Sequence, residues 1–190
     1  MTLRRLVIAL VALASAAVAA VAAGIGLSRP SAPVLSDGSI AALERPGRSA
    51  DALPARVLEL PFARHFANPN AARLVSRDVE RSVYVVPGRD ATVCLVVVEA
   101  EASGIALNCA ARSLLRSGSV WQGTRTADGA VDIVGVVGDG VTYATADGKT
   151  RLPLRGNVFA MSGVRNRTII LGTESGVEAA FDLGDLAPPE

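Results

Sequence analysis

Thr92-Val93-Cys94-Leu95-Val96-Val97-Val98-Glu99 places six consecutive apolar residues between a threonine and a glutamate. A strand sends alternate side chains to opposite faces, so a run that is apolar at both parities has no wet face. This stretch therefore predicts a central strand, covered on both sides. Its neighbours fit the same reading. Val83 to Val86 is a short apolar run followed by the turn Pro87-Gly88-Arg89-Asp90. After Gly104, Ile105 to Asn108 reads as a return strand that delivers Cys109, and Ala110 to Arg116 as a helical turn ended by Ser117-Gly118.

Three hairpins are expected further on, each announced by its turn. Ser119 to Thr126 and Ala130 to Val137 flank Asp128-Gly129; Val141 to Ala146 and Thr150 to Arg155 flank Asp147-Gly148; Thr168 to Gly172 and Val177 to Asp182 flank Ser175-Gly176. Such dipeptides supply the left-handed backbone angles of tight turns. Alternation supports the strands, with Leu152 and Leu154 opposite in parity to Arg151, Pro153 and Arg155. About eight strands in roughly 105 residues predict a mainly β fold, a small antiparallel sandwich or barrel over residues 82–186, with 187–190 a frayed tail.

Ahead of this region the character changes. Arg4 and Arg5 precede an apolar run from Leu6 to Leu27, free of charged residues and carrying one hydroxyl at Ser15, which as a helix would reach roughly 33 Å, enough for a hydrocarbon core of about 30 Å. The run also holds the small-x-small sites Ala17-Val18-Ala19 and Ala20-Val21-Ala22. Residues 1–27 thus read as a transmembrane anchor or, after cleavage, a signal peptide. Under either reading the two arginines stay inside and the chain from Ser28 onward lies outside the cytoplasm. Residues 28–55, with Pro30, Pro33, Pro46 and Pro54 and little apolar periodicity, read as a disordered linker. Residues 56–81 read as a short helical lead-in, with Asn68-Pro69 capping a helix through Leu74, Val75, Arg77 and Val79.

Charge excludes one class of partner. Without Arg4 and Arg5 the basic residues number 17 against 18 acidic ones, a net of −1, so no whole-surface attraction for nucleic acid is expected. Cys94 and Cys109 are the only cysteines, and an even count on an exported chain predicts a disulfide. Two separate buried thiols are the alternative. A metal centre lacks the ligand count, since His65 is the sole histidine.

The order Val83-Tyr84-Val85-Val86-Pro87-Gly88, Cys94-Leu95-Val96-Val97, Cys109, Gly135-Val136-Val137-Gly138-Asp139-Gly140-Val141 and then Asp147-Gly148 with Asn157-Val158-Phe159 resembles that of uncharacterised exported or membrane-anchored actinobacterial proteins. The resemblance covers residues 56–161. Gly138 departs from the proline that similar proteins tend to carry. What the resemblance implies is a compartment and a disulfide, and no reaction.

Motifs for chemistry are sparse. No Gly-x-Ser-x-Gly elbow accompanies His65, and the glycines at 135, 138 and 140 lack the Lys-Ser/Thr of a phosphate loop. Glu99 and Glu101 would share a face if their strand persisted, but also suit the solvated end of an apolar strand. Asp128, Asp139 and Asp147 each precede glycine, and turn formation accounts for them. No cofactor, metal or catalytic residue is assigned. Trp121 and Tyr143 on predicted strands, with Arg151 and Arg155, form a candidate ligand face, although a core role suits the aromatics equally. The sequence thus points to a noncatalytic extracytoplasmic binding or interaction module, held to the membrane through residues 6–27, whose partner is a protein or cell-envelope ligand. A cell-envelope hydrolase using unidentified carboxylates is the alternative. An enzyme should show a concave pocket with converging carboxylates; a binding module should show an exposed apolar or arginine-lined face or edge.

Overall fold

The computed structural model describes residues 33–100, 104–154 and 156–184. The expected anchor or signal segment, Glu101, Arg155 and the frayed tail lie outside the described residues. Within them the chain is mainly β, with eleven strands: β1 (Arg73–Arg77), β2 (Arg81–Pro87), β3 (Thr92–Glu99), β4 (Ile105–Ala111), β5 (Ser119–Arg125), β6 (Val131–Val137), β7 (Val141–Thr145), β8 (Leu152–Pro153), β9 (Val158–Val164), β10 (Thr168–Thr173) and β11 (Glu178–Asp182). All pairings are antiparallel. Sheet I runs β1-β2-β3-β4, sheet II β5-β6-β9 and sheet III β11-β10-β7-β8.

The apolar run that opens the sequence reading becomes β3, in the interior of sheet I as expected. Its two parities feed two different cores. Val93, Leu95 and Val97 join Val83 and Val85 of β2 and meet Val120, Val134, Val136 and Val158 of sheet II. Cys94, Val96 and Val98 join Tyr84 and Val86 on the opposite face, against Leu53, Val57, Phe66 and Ala72. Sheet II is used twice in the same way: Val131, Ile133, Val137, Phe159 and Met161 turn from sheet I toward Val141, Ala144, Ile169, Leu171 and Ala179 of sheet III. Period-two alternation with both sets apolar is what lets one strand serve two cores.

Several expectations need correction. Residues 33–55 do not all behave as linker: Leu35, Ile40, Asp51 and Leu53 are buried, with Ile40 fully so. Burying an isoleucine side chain stabilises by roughly 1.5–3 kcal/mol, and Ile40 sits in the core between sheets I and II. The segment is held by hydrogen bonds to distant residues, which composition does not reveal. Leu35 N–H donates to the Arg116 carbonyl at 2.6 Å and Ser36 Oγ to the Leu115 carbonyl at 2.8 Å. Asp139 then clamps the next residues, accepting from Ser39 Oγ at 2.8 Å, Ala41 N–H at 3.0 Å and Asn157 Nδ2 at 2.8 Å. Its role therefore exceeds turn formation.

The helix expected after Asn68-Pro69 is a single 3-10 turn, Pro69–Ala71, capped by the Asn68 side chain. The chain then becomes β1, because Leu74 pairs with Tyr84 and Arg77 with Ser82 across the sheet. Likewise β4 extends to Ala111, and the helical turn after it is a 3-10 segment, Arg112–Arg116. The β2–β3 turn sits one residue later than expected, with Asp90 and Ala91 at its tip at φ 53° and 54°. Strand β9 was not foreseen; Ser162 and Gly163 interrupt its apolar pattern. The first and third expected hairpins form, and the second forms only in part: in place of Thr150 to Arg155 its return strand is Leu152–Pro153, paired with Ala144 and Tyr143 across a longer loop. Gly129, Gly148 and Gly176 take positive φ.

The cysteines pair. Cys94 and Cys109 stand directly opposite on β3 and β4 and form a disulfide with their Cα atoms 4.0 Å apart.

Candidate functional site

Toward one end of the space between sheets I and II, the inward-facing residues turn polar. On β2 the series Val85, Val83 continues to Arg81; on β3 Leu95, Val97 continues to Glu99. On β5 Val120 is followed two residues apart by Gln122 and Thr124, and on β6 Val136, Val134 continues to Asp132. Register brings these ends together within each sheet. Arg81 stands opposite Glu99, Val97 opposite Ala106, Gln122 opposite Val134 and Thr124 opposite Asp132.

The result is a cleft of about 460 Å³. Val97, Ala106 and Val134 form its apolar floor, while Glu80, Glu99 and Asp132 bring carboxylates from both sheets to its lining. Val79, at the β1–β2 turn, adds an apolar side chain that is 90% exposed. The volume falls in the usual range for ligand pockets, about 300–1,000 Å³.

Among the described residues that line the cleft, the one guanidinium is that of Arg81, and it is partly engaged. Arg81 Nε lies 3.7 Å from Asp78 Oδ2. Burial works against ionisation of Asp78, but the backbone N–H groups of Arg81 and Glu80 and the Arg81 charge hold its carboxyl below the ordinary range. The three lining carboxylates are left otherwise. Among the described residues none of Glu80, Glu99 and Asp132 is in an ion pair. Asp132 Oδ1 accepts from Gly163 N–H at 2.9 Å.

The aromatic face expected from the sequence is divided. Trp121 is half-buried, its ring 5.8 Å from that of Phe181 and packed on the core between sheets II and III. Tyr143 is buried and its hydroxyl donates to Glu178 Oε1. Phe181 and Glu178 have opposite parity on β11, so the two aromatics occupy opposite sides of sheet III. Arg151 stacks on Tyr143 with Cζ 4.3 Å from the ring centroid, and its Nη2 lies 3.7 Å from Glu178 Oε1. The Glu178 hydrogen bond, with burial, raises the Tyr143 pKa above its ordinary value. Gly172, opposite Tyr143, makes room for that ring, and Gly135 does the same for Phe159. Tyr143, Arg151 and Glu178 satisfy one another, so this trio is a packed surface cluster. Arg155 lies outside the described residues.

His65 is exposed and is not among the residues lining the cleft; its carbonyl accepts from Arg89 N–H at 2.9 Å in the β2–β3 turn. Among the described residues no group of three or more His, Cys, Asp or Glu could hold a metal ion, and no helix is long and apolar enough to cross a membrane. The cleft was missed because it depends on pairing among strands far apart in sequence. The available signal was the charged or polar residue ending four inward-facing series. Comparison with family models, with curated proteins and with solved structures finds no match.

Proposed function

We propose that the chain is a noncatalytic extracytoplasmic binding module, a small β-sandwich tethered through residues 6–27, and that its ligand enters the cleft between sheets I and II. The observation that carries this reading is the cleft's construction, an apolar floor with polar groups at its mouth, as ligand sites generally have. The placement outside the cytoplasm is supported by Arg4-Arg5 with the following apolar run, by the cysteine pair, and by the resemblance to exported actinobacterial proteins. The partner is a protein or cell-envelope ligand. One observation favours a second reading, an envelope hydrolase: Glu99 and Asp132 come to one cleft from facing sheets, as paired carboxylates do in acid–base hydrolysis.

Photo-crosslinking in cells tests the proposal. A photoreactive residue replacing Gln122 or Thr124 in the full-length protein is expected to give a discrete adduct, and one replacing Arg64 to give none. No adduct from the cleft, or the same adduct from both places, removes the proposal. Release of soluble fragments from envelope material, lost in Glu99→Gln and Asp132→Asn, would establish the hydrolase instead.

A further inference from the structure

We infer that the cleft receives a lysine or arginine side chain of a partner polypeptide. The inference rests on the binding-module reading above and adds the chemistry of the ligand. Two properties of the lining have to be matched together. The floor of Val97, Ala106 and Val134 is apolar and suits an aliphatic stem, and Val79 extends that surface at the mouth. Above it, Glu80, Glu99 and Asp132 share the described lining with one guanidinium, that of Arg81, which is itself drawn toward Asp78, while Arg56, outside the lining, is taken up by the Glu99 backbone carbonyl at 2.8 Å.

An anionic ligand would meet three carboxylates, and a purely apolar one would strip water from them without replacing their hydrogen bonds. A side chain with a methylene stem and a cationic head meets both requirements, since such residues lay their stems along apolar surface and keep the charge at its polar edge. The head would find acceptors on both walls: Glu99 from sheet I, with no hydrogen bond to its own carboxylate among the described residues, and Asp132 from sheet II, whose Oδ2 is not the atom taken by Gly163. Charge-assisted bonds to two carboxylates are the stronger kind of hydrogen bond. The rest of the chain gives no such bias, being within one unit of neutral outside its first residues. The occupant is assigned to a polypeptide because the cleft opens beside the β1–β2 turn, where exposed Val79 offers contact beyond the cationic side chain itself.

The test uses full-length protein in nonionic detergent micelles and a fluorescent peptide of alternating lysine and glycine, followed by anisotropy. The lysine peptide is expected to bind, and the same peptide acetylated at every Nε about tenfold more weakly or worse. Glu99→Gln/Asp132→Asn should lose about tenfold, while Glu44→Gln/Glu174→Gln, which removes the same charge from exposed sites elsewhere, should bind as the parent does. Thermal melts of both double variants should fall no lower than that of the parent, excluding a folding defect. Equal binding of the acetylated peptide overturns the inference. So does equal loss in the two double variants, which would make the attraction a property of net charge. Effective competition by a simple alkylamine at equal concentration overturns the polypeptide assignment. If crosslinked adducts form at Gln122 or Thr124 while the lysine peptide fails to bind, the cationic inference falls and the binding-module reading stands.

Discussion

Asp51 and Asp132 are both carboxylates at the margin of a sheet, and the molecule treats them in opposite ways. Asp51 is buried and receives four donors: Arg45 Nη1 and Nη2 at 2.7 Å each, Arg48 N–H at 2.7 Å and Leu74 N–H at 2.9 Å. Arg45 Nη2 also donates to the Leu74 carbonyl at 3.2 Å. Leu74 lies on β1, an outer strand of sheet I, and the ion pair therefore supplies the acceptor and donor that a neighbouring strand would have given. It closes the edge against pairing with another chain. Asp132, with Glu99 and Glu80, lines an open cleft and is in no ion pair among the described residues. Folding needs the first arrangement. The second is held far less: among the described residues Asp132 accepts from Gly163 N–H and makes no ion pair, and this is the contrast on which the proposed ligand site rests.

The largest effect should come from the closed edge. Asp51→Ala leaves Arg45, Arg48 N–H and Leu74 N–H without their acceptor, and breaking a buried pair in this way costs about 3–5 kcal/mol. Urea unfolding of the purified protein should show the midpoint falling accordingly, and an unchanged midpoint would mean that the pair seals nothing. The same residue sets an acid limit. Hydrogen bonds from Arg45 first, and from the Arg48 and Leu74 amides despite burial, hold the Asp51 pKa far below its ordinary value. Because the folded pKa lies below the unfolded one of about 3.9, the stabilisation is fully present above that pH and is lost as pH falls toward the folded pKa. Stability measured downward from about pH 5 should therefore drop less steeply in Asp51→Ala than in the parent.

The disulfide is the next largest contribution. Its two cysteines are 15 residues apart, and a loop of that length corresponds to about 3 kcal/mol in the chain-entropy picture. Cys94→Ala/Cys109→Ala should lose about that amount by urea unfolding. Two free thiols titrated in the denatured, nonreduced parent would show that no such contribution exists.

These two devices were not equally legible in the sequence. The cysteines announced themselves by number, and the strand holding Cys94 by six apolar residues with no polar parity. Turn dipeptides located the hairpins because their glycines adopt the left-handed angles the turns need, as Gly129 and Gly176 do. By contrast, residues 33–54 read as linker because proline and small residues dominate there, while their order depends on partners such as Asp139, 98 positions from Ala41. Trp121 and Tyr143 could be placed on strands, but not on a common face, because that depends on how sheets II and III stack. The cleft had the same difficulty: only pairing across four strands shows that the polar ends of their inward series meet.

Asp139 is an intermediate case, since it is partly exposed and yet used. Asp139→Ala removes the acceptor for Ser39 Oγ, Ala41 N–H and Asn157 Nδ2, and should cost about 1–2 kcal/mol. The loss should be local. Amide exchange at Leu35 and Ala41 should accelerate while that of β3 stays slow, and uniform acceleration would show that residues 33–41 are not held separately.

The smallest effect on stability is expected at the open cleft. Glu99 makes no side-chain hydrogen bond among the described residues, and Asp132→Asn keeps an oxygen for Gly163 N–H. Neither substitution creates a cavity or leaves a buried partner without its acceptor, so Glu99→Gln/Asp132→Asn should shift the unfolding free energy by less than about 0.5 kcal/mol. Removing like charges from one cleft relieves repulsion, and any shift should therefore be toward greater stability, most evident at low salt. A loss comparable with that of Asp51→Ala would show that the cleft carboxylates belong to the fold. A near-zero change in stability with loss of ligand binding would separate a carboxylate that shapes the protein from one that serves its partner.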